Sequence, residues 1–478
     1  MDQNGQISNG MNKILLKEYF DHLALSRDKW IKRNRYYHKS IIDLCRFVIP
    51  AKSSVLDVGC STGDLLNSIE PSYGLGVDLS PKMIDFAIKK YPNLNWRVVD
   101  AEKLELGECF NYIIFSDLLG YLTDIERAFW FLRSASHGQT KVLITYYNYF
   151  WEPILRLAEF LHLKAKQPIQ NWLSPSDIKN MLALAGFEIV KSGNKILLPI
   201  YIPLLSVFIN KFIANLPILS RLGLIQYVVA RPIPEVKKEY SVSIIIPARN
   251  EKGNIENAIK RIPDFGTIQE IIFIEGHSND DTLEEIKRVA DYYAGKKNIK
   301  WACQKGKGKG DAVRLGFEMA TGDVLMILDA DLTMPPEDLP KFYNAIISGR
   351  GEFINGSRLV YPLENESMRF LNILGNKFFS LMFSWILGQR IKDTLCGTKV
   401  LFKKDYELIA ANRKYFGDFD PFGDFDLLFG AAKLNLKIVE MPIRYQARTY
   451  GSTNIQRWRH GWLLLKMTLF AARKFKFR

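Results

Sequence analysis

Two aspartates one residue apart, Asp329 and Asp331, close an apolar run in the second half of the chain. The stretch reads Gly322-Asp323-Val324-Leu325-Met326-Ile327-Leu328-Asp329-Ala330-Asp331-Leu332. Two hard oxygen donors at that spacing suit Mg2+ or Mn2+ bridging a diphosphate. The ion relieves repulsion between carboxylates and phosphates and stabilises charge on a departing nucleotide. A second set of acids stands in the first half. Asp57 opens Asp57-Val58-Gly59-Cys60-Ser61-Thr62-Gly63, and Asp78 follows 21 residues after Asp57. Glycines there let backbone approach a ligand, and an acid at the tip of a second strand is placed for ribose hydroxyls. A third candidate is Lys305-Gly306-Lys307-Gly308-Lys309-Gly310-Asp311, whose cations and glycines before a helix make a phosphate site. Each motif alone also reads blandly, as solvated acids or a flexible basic loop. The elements that carry them decide.

Residues 324–328 are all apolar and read as a strand buried on both faces, as in a parallel sheet. Strand side chains alternate, so Asp329 and Asp331 point the same way if the extended backbone continues past Leu328. Open α/β sheets bind ligands beyond the carboxyl ends of their strands. Residues 242–246 form another apolar run, ending at Pro247-Ala248-Arg249-Asn250-Glu251, with Asn254 able to cap the helix that follows. Residues 270–274 make a further strand ending at Glu275. In the first half, residues 11–48 read as helical, and strands are expected near 54–57, 74–77, 96–99, 110–116 and 141–145. Residues 197–230 are apolar and punctuated by proline; they read as a helical pair ending in a strand at 226–230, packed mostly into the core. Ile202, Leu205, Ile209 and Phe212 form one helical stripe there, whose alternative partner is a membrane.

Composition sets the outer limits. The 478 residues allow two to four domains, and 47% hydrophobic content excludes a disordered chain. A net charge of +14 points to acidic partners: nucleotides, nucleic acid or an anionic membrane. Cys45, Cys60, Cys109, Cys303 and Cys396 are scattered, which fits a reducing compartment and argues against a cysteine metal site. The polar N-terminus has no signal-like core, and no run reaches the roughly 18 apolar residues of a spanning helix. The expected organisation is a first domain over 1–232 with its core at 50–190, a proline-containing linker over 233–240, and a second domain over 241–478. The last stretch, 455–478, combines apolar residues at helical spacing with arginines and lysines and no acid. It reads as an amphipathic basic helix, either packed on the core or lying on a membrane.

With these residues in place, the first half resembles the class I S-adenosylmethionine-dependent methyltransferases over about residues 30–232. Asp57 to Gly63 matches their first motif, with Ser61 where glycine is frequent. The resemblance implies S-adenosylmethionine held by Asp57, Gly59, Cys60, Gly63, Asp78, Asp100, Ala101 and Ser116. A dinucleotide-binding oxidoreductase is the competing reading, and Gly-x-x-x-Gly in place of Gly-x-Gly-x-x-Gly counts against it. The methyl acceptor is not legible; Asp117, Tyr121, His137 and His162 are candidate bases.

The second half resembles the family 2 glycosyltransferases of the GT-A fold over about 241–460, closest in look to the dolichyl- and polyprenyl-phosphate sugar synthases. By that resemblance Pro247, Ala248, Asn250, Glu251, Glu275, Lys309, Gly310, Asp311 and Asp329 bind the nucleotide sugar, and Asp329 and Asp331 bind the metal. Asp424 and Asp426 fall in an acidic segment near the acceptor, where either could serve as general base for a sugar hydroxyl, and Arg358, Arg444 and Arg448 are the cations that could position an acceptor phosphate. Arg448-Thr449-Tyr450-Gly451-Ser452-Thr453-Asn454 resembles an Arg-x-x-Gly-x-Ser/Thr-Lys signature, with Asn454 in place of lysine.

The fold expected is therefore α/β twice over: a Rossmann-like methyltransferase domain followed by a GT-A nucleotide-sugar-binding domain. The implied function is bifunctional. Its first activity is inverting glycosyl transfer from a nucleotide sugar to a lipid-linked or polyprenyl-phosphate acceptor in envelope glycan synthesis. Its second is methyl transfer, to a sugar or related hydroxyl. The implied location is cytoplasmic, peripheral on the inner face of the plasma membrane, against an anionic lipid surface. The rivals are a synthase with an inactive methyltransferase-like module, and a basic scaffold or nucleic-acid-binding protein. Acids at three strand tips count against nucleic acid.

Overall fold

The computed structural model describes residues 13–168, 170–234, 238–358, 370–413, 425–443, 446, 448, 450 and 457–477. The chain divides into two compact units, Met1–Ile233 with Phe477–Arg478, and Pro234–Lys476. Each is built on its own seven-stranded sheet.

Helices Lys13–Ala24, Arg27–Arg33 and Arg35–Val48 precede the first sheet. Its strands are β1 (Ser54–Val58), β2 (Tyr73–Asp78), β3 (Asn95–Val98), β4 (Phe110–Ser116), β5 (Ser136–Tyr147), β6 (Phe187–Lys195) and β7 (Ile225–Pro232). Their order is β3-β2-β1-β4-β5-β7-β6. β1 pairs in parallel with β2 on one side and β4 on the other, so connections leave it in opposite directions. That reversal opens a crevice beyond the strand ends, where ligands of such sheets bind. β7 runs antiparallel between β5 and β6, and β6 forms that edge.

The second sheet consists of β8 (Val242–Ala248), β9 (Gln269–Glu275), β10 (Asn298–Cys303), β11 (Val324–Ile327), β12 (Phe353–Ser357), β13 (Lys399–Phe402) and β14 (Ile438–Pro442). The order is β10-β9-β8-β11-β13-β12-β14. β8 takes the place that β1 has in the first sheet, parallel to both β9 and β11. β13 then runs antiparallel to β11 and β12. Residues 324–328 are fully buried, as expected of an apolar strand in a sheet covered on both faces.

Two expectations change. The extended backbone does not continue through the paired aspartates: a turn begins at Ala330, and Leu332 takes a left-handed φ of 52°. The region 197–222 is also not a helical pair packed in the core. It holds one short helix, Leu205–Lys211, and 3-10 turns at Ile213–Asn215 and Leu219–Leu222. Pro199, Pro203 and Pro217 lack the amide that a longer helix needs. Ile202, Leu205 and Phe212 of the predicted stripe are exposed.

Candidate active sites

In the first unit a cavity of about 480 Å³ lies beyond the carboxyl ends of β1, β2 and β4. Asp57, Gly59, Cys60, Asp78, Asp100, Ala101 and Ser116 all line it. Gly63 does not. It sits with φ of 82° at the start of the Asp64–Ile69 helix, where a side chain would run into Trp96. Gly59 also needs the left-handed region, with φ of 76°, and a Cβ there would press on Leu118.

The acids are in different states. Both oxygens of Asp78 accept backbone amides, from Ser61 and Ser80, each at 2.9 Å. Burial raises its pKa, and those amides oppose the rise. Lys13 binds Asp100 at 2.5 Å and Glu102 at 2.8 Å. Asp57 is 1% exposed, and its Oδ2 has no hydrogen-bond partner among the described residues. Burial, with the Asp78 charge adding, pushes its pKa up to about 7. A buried carboxylate oxygen without a partner is costly. Its position in the cavity wall gives a cationic ligand a counter-charge, so the residues present fit the ammonium and ribose of S-adenosylmethionine.

The same cavity extends past β4 to a second polar cluster. Asp117, with a left-handed φ of 54°, accepts from Tyr37 at 2.5 Å and from Thr145 at 3.1 Å. Burial raises the Asp117 pKa, and the Tyr37 and Thr145 hydrogen bonds counter it. Of the four candidate bases, Asp117 and Tyr121 line the cavity; His137 and His162 are not among its lining residues. Sequence reading missed Tyr37 and Lys13, which arrive from the leading helices, and His38, whose pKa burial lowers to about 4. The basic and aromatic run from Lys32 to His38 reads in sequence as a solvated face, and no local pattern marks Lys13.

In the second unit the site forms beyond β8 and β11. Asp329 binds Lys309 at 2.6 Å, the first residue of the Lys309–Met319 helix. Burial opposes ionisation of Asp329, but Lys309 outweighs it, helped by Lys399 and Arg358, and the carboxyl lies below its ordinary range. A methyl group on Gly397 would land on both Asp329 Oδ2 and Lys309 Nζ, so only glycine leaves that space open. Asp331 accepts from Arg448 at 2.6 Å and from Thr333 Oγ1 at 2.9 Å. Arg448 reaches on to Glu251 at 3.1 Å. Burial raises the Glu251 pKa, opposed by Asn254 and Arg448. Each aspartate thus carries a cation, and the two acids present hard oxygen donors on one turn, a set that fits a divalent ion shared with a diphosphate.

The remaining candidates have mixed positions. Pro247 and Ala248 end β8, and Asn250 holds a left-handed φ of 56°, its side-chain oxygen accepting the Asn279 amide at 2.7 Å. Glu275 is buried at the end of β9; the Ser278 and His277 amides outweigh burial and hold its carboxyl below the ordinary range. Gly310 is buried in the helix, while Asp311 accepts the Gly306 amide at 2.9 Å and so shapes the lysine-glycine turn. Arg358 is gripped by the buried Asp393 at 2.7 and 2.8 Å. Asp426 accepts from Arg413 at 2.8 Å and Arg314 at 3.4 Å. Asp424 and Arg444 lie outside the described residues. Lys399, fully buried and bonded to Asn355 at 3.0 Å and to the Cys396 carbonyl at 2.7 Å, was missed. Its signal was a lysine at the start of an otherwise apolar strand.

Two family models match separate stretches of the chain. A family model described as Methyltransferase domain matches residues 30–192. Another, Glycosyl transferase family 2, matches residues 243–407. The chain is 32% identical over 220 residues to the dolichol-phosphate mannosyltransferase of Pyrococcus furiosus, covering 45% of this chain and 59% of that protein. It is 27% identical over 237 residues to the low-salt glycan biosynthesis hexosyltransferase Agl6 of Haloferax volcanii, covering 48% and 54%. It is 32% identical over 112 residues to the undecaprenyl-phosphate 4-deoxy-4-formamido-L-arabinose transferase of Aeromonas hydrophila, covering 23% and 34%. The chain thus spans between a third and three-fifths of these relatives. One stretch of the chain thus matches a methyltransferase domain and another matches glycosyl transferase family 2.

Proposed function

We propose that the chain is a bifunctional transferase of envelope glycan synthesis, acting at the inner face of the plasma membrane. Its second unit moves a sugar from a nucleotide to a polyprenyl-phosphate or other lipid-linked acceptor. Its first unit moves a methyl group from S-adenosylmethionine to an acceptor hydroxyl. The observation that carries the glycosyl half is the turn after β11, where Asp329 and Asp331 stand at the point of strand-order reversal with Lys309 and Arg448 already bound. Two of the relatives are named for transfer involving dolichol phosphate and undecaprenyl phosphate.

Mg2+ or Mn2+ at Asp329 and Asp331 would neutralise the charge that builds on the departing nucleoside diphosphate. Lys309 and the amides at the start of its helix add positive charge for the diphosphate. An acceptor phosphate oxygen attacks the anomeric carbon, the bond to the diphosphate breaks, and configuration inverts. A phosphate acceptor needs no base, and Arg448 supplies a cation to position it. A hydroxyl acceptor would need one. Of the two candidate bases, Asp426 is held by Arg413 and Arg314, and Asp424 lies outside the described residues.

In the first unit, S-adenosylmethionine supplies an electrophilic methyl group. Asp57 would hold its ammonium and Asp78 its ribose, both lining the cavity. Asp117, steadied by Tyr37 and Thr145, would accept the proton of the acceptor hydroxyl.

The test is a panel of sugar nucleotides incubated with membrane extract and labelled S-adenosylmethionine, with mass analysis of products. Asp331→Ala abolishes divalent-dependent glycosyl transfer and leaves S-adenosylmethionine binding intact. Asp78→Ala weakens cofactor binding by about 1.5–3 kcal/mol. Full glycosyl transfer by Asp331→Ala in chelator, or unchanged cofactor affinity of Asp78→Ala, overturns the corresponding half.

A further inference from the structure

The methyltransferase unit carries an apolar face that is built inside out. Between Ile200 and Leu222 the uncharged polar side chains Ser206, Asn210 and Asn215 bond back to the chain's own backbone. Ser206 and Asn215 are buried, and Ser206 Oγ donates to the Ile200 carbonyl at 2.7 Å and accepts the Ile202 amide at 2.6 Å. Asn210 Oδ1 accepts the Leu197 and Leu198 amides at 2.8 and 3.0 Å. The large apolar side chains of the same segment point outward: Leu204 is 86% exposed, Ile218 79% and Phe208 54%. Backbone groups are satisfied from within, so the exposure is a built feature. Contiguous exposed apolar surface of this kind marks an interaction site.

This face adjoins the cavity. Ile154, Leu157, Leu161 and Ile200 line the cavity and are each more than half exposed, so they form its mouth. The two segments that bear them are tied together. Trp151 Nε1 donates to the Leu222 carbonyl at 2.7 Å, and Asn148 Nδ2 to the Arg221 and Gly223 carbonyls at 2.9 and 3.0 Å.

The charges on this face have one sign. No acid occurs from Ile196 to Leu224, whereas Lys211 and Arg221 do. The neighbouring acids Glu152 and Glu159 are paired with Arg156 at 2.5 Å and Lys164 at 2.8 Å. A second copy of the chain packed two-fold on this face would oppose like charges. An anionic bilayer complements them. Among the described residues no helix is long and apolar enough to cross a membrane, so the face would lie on the surface.

We propose that this face seats on an anionic bilayer, and that the methyl acceptor is a bilayer-resident amphiphile. It reaches the cavity through the rim of Ile154, Leu157 and Ile200, with its hydroxyl directed to Asp117. The acceptor half rests on the methyltransferase reading; the docking half does not.

The test uses the full chain with the two exposed cysteines replaced, Cys109→Ser and Cys303→Ser, and Leu204→Cys labelled with bimane. Vesicles of equal phosphatidylglycerol and phosphatidylcholine carry a doxyl spin label on the acyl chain. Bimane is quenched on vesicle binding. Leu204→Asp combined with Ile218→Asp lowers vesicle binding about tenfold or more, while calorimetry shows unchanged affinity for S-adenosylmethionine. Tritium from labelled S-adenosylmethionine, offered with the membrane extract, appears in the organic phase. Vesicle-bound protein without quenching overturns the docking. So does a concentration-dependent dimer that shields the label and competes with vesicles. Tritium recovered only in the aqueous phase overturns the acceptor half. Quenching in a protein that binds no S-adenosylmethionine supports the docking and fails the methyltransferase reading instead.

Discussion

Asp57 is a buried carboxyl whose proposed cofactor role would link binding to pH. Its pKa is raised from 3.8 to about 7, burial being the larger cause and Asp78 the smaller. A folded-state pKa above the unfolded value gives stability that is present at low pH and lost as pH rises through the folded pKa. The protein without cofactor should therefore lose stability between about pH 4 and 7 from this group. In the proposed role the ionised form meets the cofactor's ammonium, so S-adenosylmethionine should raise the melting temperature more at about pH 8 than at about pH 6. Asp57→Asn should flatten both dependences and weaken cofactor binding by about 1.5–3 kcal/mol. Scanning calorimetry with and without cofactor across that range checks this. Identical pH profiles for the two proteins would remove Asp57 from the cofactor site.

Helix Arg457–Phe475 illustrates an element with two faces. Leu464, Met467, Ala471, Ala472 and Phe475 are buried, and the helix packs against Phe370–Leu387. Trp462 and Leu469 are 60% and 64% exposed, and Lys466 stacks on the Trp462 ring at 5.7 Å. One face therefore anchors the helix, and the other offers aromatic, aliphatic and cationic groups of the kind that bind a lipid interface. Each basic residue near an anionic surface contributes about 1 kcal/mol, screened by salt. Trp462→Glu with Leu469→Glu should leave the melting temperature nearly unchanged. It should lower binding to anionic vesicles and slow transfer to membrane acceptor, while sugar-nucleotide hydrolysis in water persists. A variant that unfolds would assign the exposed face to packing, and full activity on membranes would remove it from function.

For the whole molecule, two sheets with separate cores predict separable stability. The cluster around Ile244, Phe273 and Phe342 belongs to the second unit, and that around Leu56, Phe115 and Phe129 to the first. Cutting the chain near residue 235 should give two soluble halves, the first binding S-adenosylmethionine and the second nucleotide. Each should melt cooperatively, and co-expression tests whether they still associate. Two insoluble halves from a soluble parent would show that the units depend on each other for folding.

The sequence by itself determined the α/β character of both halves and the places where chemistry concentrates. Apolar runs of strand length, glycine turns and acids at strand ends are local signals, and local torsion and periodicity are what neighbouring residues encode. Thus the strand ending before Asp329 and the turn from Gly59 to Gly63 were legible. Partnerships were not. Arg448 meets Asp331 across 117 residues, and Tyr37 meets Asp117 across 80. Such pairs depend on strand order and on which helix covers the sheet, and no local spacing records either. The same limit explains the 197–222 segment. Its apolar content suggested core because hydrophobicity alone does not say which way a side chain faces. Only the folded chain, with Ser206 and Asn215 inside and Leu204 and Ile218 outside, decided that.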